Sequence, residues 1–119
     1  LTIAEAEAFV KHILKKTEPF LFEAVIRADG RFRKRLFEAA RAGEGIDQRV
    51  TVSESTIPLA VVNGGDDPIV NLDYFETVPF GNLWQGKCQR LEGLGHAPFW
   101  EEPAVFNPIL ERFLQNVAK

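Results

Sequence analysis

Scarcity marks this sequence first. It has a single cysteine, Cys88, so no internal disulfide can close and a zinc site built from several cysteines is excluded. That usage is expected of a reducing, cytoplasmic setting. Methionine is absent altogether and the first residue is Leu1, so position 1 is not expected to be a natural translation start. No apolar run approaches the roughly 18 residues that cross a bilayer, and no signal-peptide pattern opens the chain. An excess of basic charge is absent too: 14 lysines and arginines against 17 aspartates and glutamates give a formal net charge of −3, which leaves no overall footprint for nucleic acid or an anionic membrane. What is present is the balance of a globular protein, 45% hydrophobic and 26% charged over 119 residues, enough for one domain with a real core.

The first half has helical periodicity. Thr2 and Glu5 form a capping-box pair, in which hydroxyl and carboxylate each satisfy an orphan N–H. Ile3, Ala6, Phe9, Val10, Ile13 and Leu14 then recur as one apolar stripe. Pro19 suits the first turn of a second helix carrying Phe22, Val25 and Ile26, and Asp29-Gly30 ends it. A third helix is predicted with Phe32, Leu36, Phe37 and Ala40 inward, closing at Gly43 and Gly45.

The second half changes period. Ile57, Leu59, Ala60, Val61 and Val62 form a short continuous apolar run closed by Asn63-Gly64-Gly65, which predicts a strand over 57–63 buried on both faces. A short helix is expected around Leu72 to Thr77, then a more polar strand over 87–93 that contains Cys88. Phe106, Ile109, Leu110, Phe113 and Leu114 predict a final helix, with a kink or restart at Asn107-Pro108. Strand–helix–strand–helix is the unit of a parallel α/β sheet. Two strands alone are marginal in water, however, so this sheet calls for further strands.

Two loops each follow a predicted parallel strand, where α/β sheets carry their functional groups. One presents Asp66 and Asp67 in "GGDDP"; the other presents His96 in "GLGHAPF". A carboxylate that accepts a hydrogen bond from histidine fixes the ring's tautomer and stabilises the imidazolium. One strand–helix–strand unit between them would bring both loops to the same end of the sheet. A metal site made of Asp66, Asp67 and His96 has too few ligands.

Together the loops resemble the C-terminal part of an α/β-hydrolase. Gly64-Gly65-Asp66-Asp67 matches that family's G-x-x-D after an apolar strand. Gly93, Gly95, His96, Pro98, Glu101 and Pro103 match G-x-G-H-x-P-x-x-E-x-P, followed by Phe106 and Phe113-Leu114. The resemblance implies a helical cap-like segment over residues 1–50 and a core portion over 51–119. It implies Asp67 as the triad acid and His96 as the general base, with Asp66 capping or facing solvent. In the cap, Phe20, Phe22 and Phe32 would serve core packing, with contact to substrate as the alternative, and Arg31, Arg33 and Arg35 would form a solvated helix face.

The family's nucleophile, a serine in G-x-S-x-G, does not occur here. Ser53 and Ser55 lack the flanking glycines and the preceding strand, and Cys88 follows the acid instead of preceding it. Two functions are therefore expected as alternatives. In the first, the chain supplies acid and histidine to a nucleophile outside these residues and hydrolyses an apolar ester, with diketone carbon–carbon cleavage and dehalogenation as variants. In the second, it is a non-catalytic remnant that acts as a small oligomer. No cofactor is expected in either case. The open sheet edge is expected to be covered by an upstream hydrolase segment or by a second copy in a homodimer.

Overall fold

The computed structural model of the chain describes residues 2–118. Helix α1 (Ile3–Ile13) opens on the capping box: Glu5 N–H donates to the Thr2 hydroxyl (3.2 Å), and Thr2 N–H donates to the Glu5 carboxylate (2.7 Å). Ala6 and Val10, one turn apart, are its buried face. Helix α2 (Pro19–Arg27) starts on Pro19 and packs against α1. Helix α3 (Gly30–Arg41) is capped by Asp29, whose carboxylate accepts from Arg31 N–H (2.9 Å).

The face of α3 expected to point inward does not. Phe32 is 70% exposed, and Leu36, Phe37 and Ala40 are exposed as well. Phe32, Leu36 and Phe37 line, without filling, a groove of about 570 Å³ shared with Phe9, Val25 and Ala28. An amphipathic stripe tells which face is apolar, but burial needs a partner surface of matching extent. A fourth helix, α4 (Gln48–Glu54), is capped by Asp47 and was not expected; it crosses the position between residues 50 and 51.

The sheet is small. Strand β1 (Val62–Gly64) pairs in parallel with β2 (Gln89–Leu91), in the register Val62–Gln89, Asn63–Arg90 and Gly64–Leu91. An isolated parallel bridge joins Leu59 to Leu83. The expected strand over 57–63 is thus mostly extended chain without a regular ladder, its residues half-buried and Ile57 74% exposed. A run this apolar acquires ladder bonds on both edges and cover on both faces only when neighbours exist, and among the described residues β1 has β2 alone. The second strand is likewise shorter than 87–93, and Cys88 lies just before it.

The crossover from β1 to β2 carries helix α5 (Leu72–Phe75) and a tight 3₁₀ turn at Trp84–Gly86. Leu72 and Trp84 are buried there. Helix α6 (Pro98–Glu101) leads into α7 (Pro103–Val117), which holds the crossover through Trp84: its ring meets Phe113 edge-on (5.6 Å) and its Nε1–H donates to Asn116 (2.9 Å). Of the kink or restart expected at Pro108, the restart is absent, since α7 continues through it as one helix. Pro108 removes the N–H that would reach the Ala104 carbonyl, but both residues are exposed, so water can satisfy that oxygen. No described helix is long and apolar enough to cross a membrane.

Candidate functional site

The loops after β1 and β2 lie against each other at the C-terminal end of the sheet. Gly65 N–H donates to Leu91 O (2.7 Å) and Asp66 N–H to Leu94 O (2.9 Å). The approach is closest at Gly64, where an added Cβ would sit 1.9 Å from the Gly95 carbonyl oxygen and 2.4 Å from that of Leu94. Only a residue without a side chain permits this spacing.

Asp67 is oriented by its own turn. Its Oδ1 accepts from the N–H groups of Ile69 (2.8 Å) and Val70 (3.1 Å), which leaves Oδ2 aimed at the second loop. There His96 Nδ1 meets it at 2.8 Å, and the Asp67 side chain is only 2% exposed. Burial pushes this carboxyl's pKa up; the amides of Ile69 and Val70 and the His96 ring outweigh it and hold the group below its ordinary value. An ionised carboxylate can only accept, so Nδ1 carries the ring proton and donates it. In the neutral ring Nε2 is then the acceptor nitrogen, with no hydrogen-bond partner among the described residues. The His96 side chain is 39% exposed and lines a cavity of about 280 Å³ whose walls include Ala60, Val62, Phe99 and Phe106. Such a ring can take a proton at Nε2 while the carboxylate stabilises the resulting charge.

The backbone of the histidine loop is held as firmly as the ring. Gly93 turns the chain at φ +77°, a left-handed conformation that suits glycine. Three successive amides then find acceptors: Gly95 N–H donates to Glu101 Oε2 (2.6 Å), His96 N–H to the Ile13 carbonyl (3.0 Å) and Ala97 N–H to Glu101 Oε1 (3.3 Å). Glu101 itself is only 7% exposed. Trp100 adds a tether, its Nε1–H donating to Lys16 O (3.0 Å) while Phe20 stacks edge-on against it (5.4 Å). The end of α1 is therefore clamped to the loop that presents His96.

Other residues singled out from the sequence lie apart from this pair. Asp66 forms a half-exposed ion pair with Lys15. Ser53 donates to Val50 O within α4, and the Ser55 hydroxyl accepts from Ile57 N–H. Burial, and next the charge of Glu76, push the Cys88 thiol up, with Arg90 pulling the other way, so it is held as a neutral thiol. Lys11 lies over the Phe22 ring and Arg33 over Phe9, while Arg31 forks onto Asp29. No group of three or more His, Cys, Asp or Glu side chains is arranged to hold a metal ion among the described residues. The sequence pattern contained Glu101, but its grip on the two amides was not anticipated. Ile13 acts through a main-chain carbonyl, which leaves no trace in residue type.

Several solved structures match this arrangement of elements. The N-acyl homoserine lactonase AidH in complex with N-butanoyl homoserine superposes with a TM-score of 0.94 at 40% identity over 100% of this chain. A serine-to-glycine variant of that lactonase, complexed with N-hexanoyl homoserine lactone, superposes with a TM-score of 0.93 at 41% identity over 98%. In both cases the chain spans 44% of the lactonase's length. A membrane phospholipase A described as a bacterial virulence factor shares the fold, with a TM-score of 0.77 at 17% identity over 99% of this chain and 39% of its own. No protein-family model matches the chain, and neither does any curated protein.

Proposed function

Because this chain belongs to the α/β-hydrolase fold family and carries the C-terminal part of that fold, we propose that it supplies a hydrolase's acid and base, Asp67 and His96, to a serine borne outside residues 1–119. The supporting observation is the enclosed Asp67 carboxylate, 2.8 Å from His96 Nδ1, at the C-terminal end of two parallel strands with Nε2 left open. The lactonase likeness favours a cyclic ester, the ring of an N-acyl homoserine lactone, as substrate class.

The chemistry is acyl transfer to water. His96 Nε2 takes the serine proton as the hydroxyl oxygen attacks the lactone carbonyl. The tetrahedral adduct collapses with cleavage of the ring carbon–oxygen bond, and the imidazolium returns its proton to the departing alkoxide. Water, deprotonated by the same nitrogen, then attacks the acyl-serine carbonyl; the bond to the serine oxygen breaks, the imidazolium returns the proton to that oxygen, and the N-acyl homoserine leaves. Asp67 remains ionised throughout and holds the ring in register. The helices of residues 1–50 act as the cap over this site. The remainder of the fold, or a second copy of the chain, covers the open edge of β1 in a cytoplasmic enzyme.

The test uses the full-length protein with N-hexanoyl homoserine lactone and follows the acid released on ring opening, alongside labelling by a fluorophosphonate. Turnover and labelling are expected, and both should be lost in His96→Ala. A folded wild-type protein that neither opens the ring nor takes the label would overturn the proposal and favour a non-catalytic remnant.

A further inference from the structure

A glutamate that is 7% exposed requires an explanation. An ionised carboxylate is costly to remove from water unless hydrogen bonds replace its hydration. Glu101 obtains two such bonds, from the amides of Gly95 (2.6 Å) and Ala97 (3.3 Å). A helix-capping role accounts for only one of them. Ala97 is the residue that opens α6, and a carboxylate one turn on that accepts its N–H resembles half of a capping box. The shorter bond goes elsewhere, to a residue outside the helix on the far side of His96. The two acceptor oxygens thus bracket the histidine, and the intervening amide is taken by Ile13 O (3.0 Å).

The local sequence is built around this grip. Pro98, buried at the start of α6, lets the chain turn into the helix directly after the bracketed residues. Gly95 leaves room for the carboxylate, since an added Cβ would lie 2.8 Å from Glu101 Oε1 and 3.1 Å from Ile13 O. The bond from Gly95 N–H has the shortness of a charge-assisted one and the longer bond from Ala97 N–H adds to it, so together they fix the backbone from which the imidazole hangs. Asp67 can hold the ring at Nδ1 only if that backbone stays where it is.

Resting on the reading of His96 as the base, we propose that Glu101 is a positioning residue that holds the His96 main chain in place, so that Nδ1 stays on Asp67 and Nε2 faces the reacting atoms. It touches no substrate and exchanges no proton.

Glu101→Gln is the direct test, made in the full-length protein. The side chain keeps its shape, but its NH₂ cannot accept, so one of the two amides loses its partner. A roughly 10- to 100-fold fall in kcat is expected on N-hexanoyl homoserine lactone, with KM little changed, the size of effect that follows from slight misplacement of a catalytic group. The low-field proton resonance of the His96 Nδ1–Asp67 bond should weaken, and the Gly95 amide should exchange faster. A folded variant with wild-type kcat and an unchanged Nδ1 resonance would overturn the proposal. If the variant does not fold, the wild type decides: Gly95, His96 and Ala97 amides that exchange as fast as free loop amides refute the bracket, and protected ones sustain it. Resonance and exchange need no turnover, so they test the bracket even where His96→Ala shows that the residue is not the base.

Discussion

A carboxylate as enclosed as that of Asp67 would be expected to hold its proton more tightly than in water. Three hydrogen bonds reverse that: two amides of its own turn and the His96 ring favour the ionised form by more than burial opposes it. The folded pKa thus lies below the unfolded value of about 3.9. The stability this group adds is therefore fully present above the unfolded value and is lost as pH falls through the folded one. Glu5 and Asp29 are also held low, Glu5 mainly by Thr2 and Asp29 mainly by Arg31, and they add to the same acid limb. Asp67→Asn separates the contributions. Its thermal unfolding profile should fall less steeply below about pH 4 than that of the wild type, since the other two groups are unchanged. The same variant tests the chemistry. An asparagine NH₂ facing Nδ1 donates instead of accepting, which moves the ring proton to Nε2 and blocks the base. A loss in kcat on the order of 10⁴-fold is expected, and a loss below tenfold would mean that the carboxylate does not set the tautomer.

Between elements, the decisive contact is the one that no side chain makes. Strand β1 ends at Gly64, whose Cα faces the carbonyls of Leu94 and Gly95 so closely that a methyl group would overlap them. Gly64→Ala must push the acid loop and the histidine loop apart. A destabilisation of about 1–3 kcal/mol is expected from overpacking, read as a lower urea midpoint with an unchanged slope. Hydrolysis should fall further than the folded fraction does, because the displacement opens the Asp67–His96 contact directly. Equal losses in both measurements would mean that the loops adjust together and keep the pair intact. The sequence pattern revealed both loops, both members of the pair and most helices, because capping residues, helical stripes and turn glycines act locally. It concealed α4, whose Val50, Thr51 and Val52 are poor helix formers overridden by the Asp47 cap. It overstated β1, because ladder length depends on neighbours that a local apolar run cannot reveal. Glu101 was visible as a residue type at a family spacing, yet which amides it meets depends on how the loop closes.

At the scale of the molecule, surface and shape agree that these residues do not enclose themselves. Their accessible surface is 8644 Å², where a self-contained domain of this size exposes about 6500 Å². Their radius of gyration is 16.6 Å against an expected value of about 13.5 Å. Large apolar side chains contribute to it in named places: Phe32, Leu36 and Phe37 on α3, Ile57 ahead of β1, and Leu110 and Leu114 on α7 are each at least 42% exposed. Among the described residues β1 also has one unpaired edge, a template for another strand. The apolar stripes, legible in the sequence as core, thus prepare surfaces for burial that the described residues do not complete. Residues 1–119 produced alone are therefore expected to self-associate at micromolar concentration and to bind a hydrophobic dye. Sedimentation velocity should show species larger than one chain. Supplying the rest of the fold in the same polypeptide should remove both the association and the dye signal. A sharp monomeric boundary with a single cooperative unfolding transition would contradict this, because it would show that the exposed stripes close on one another without any partner surface.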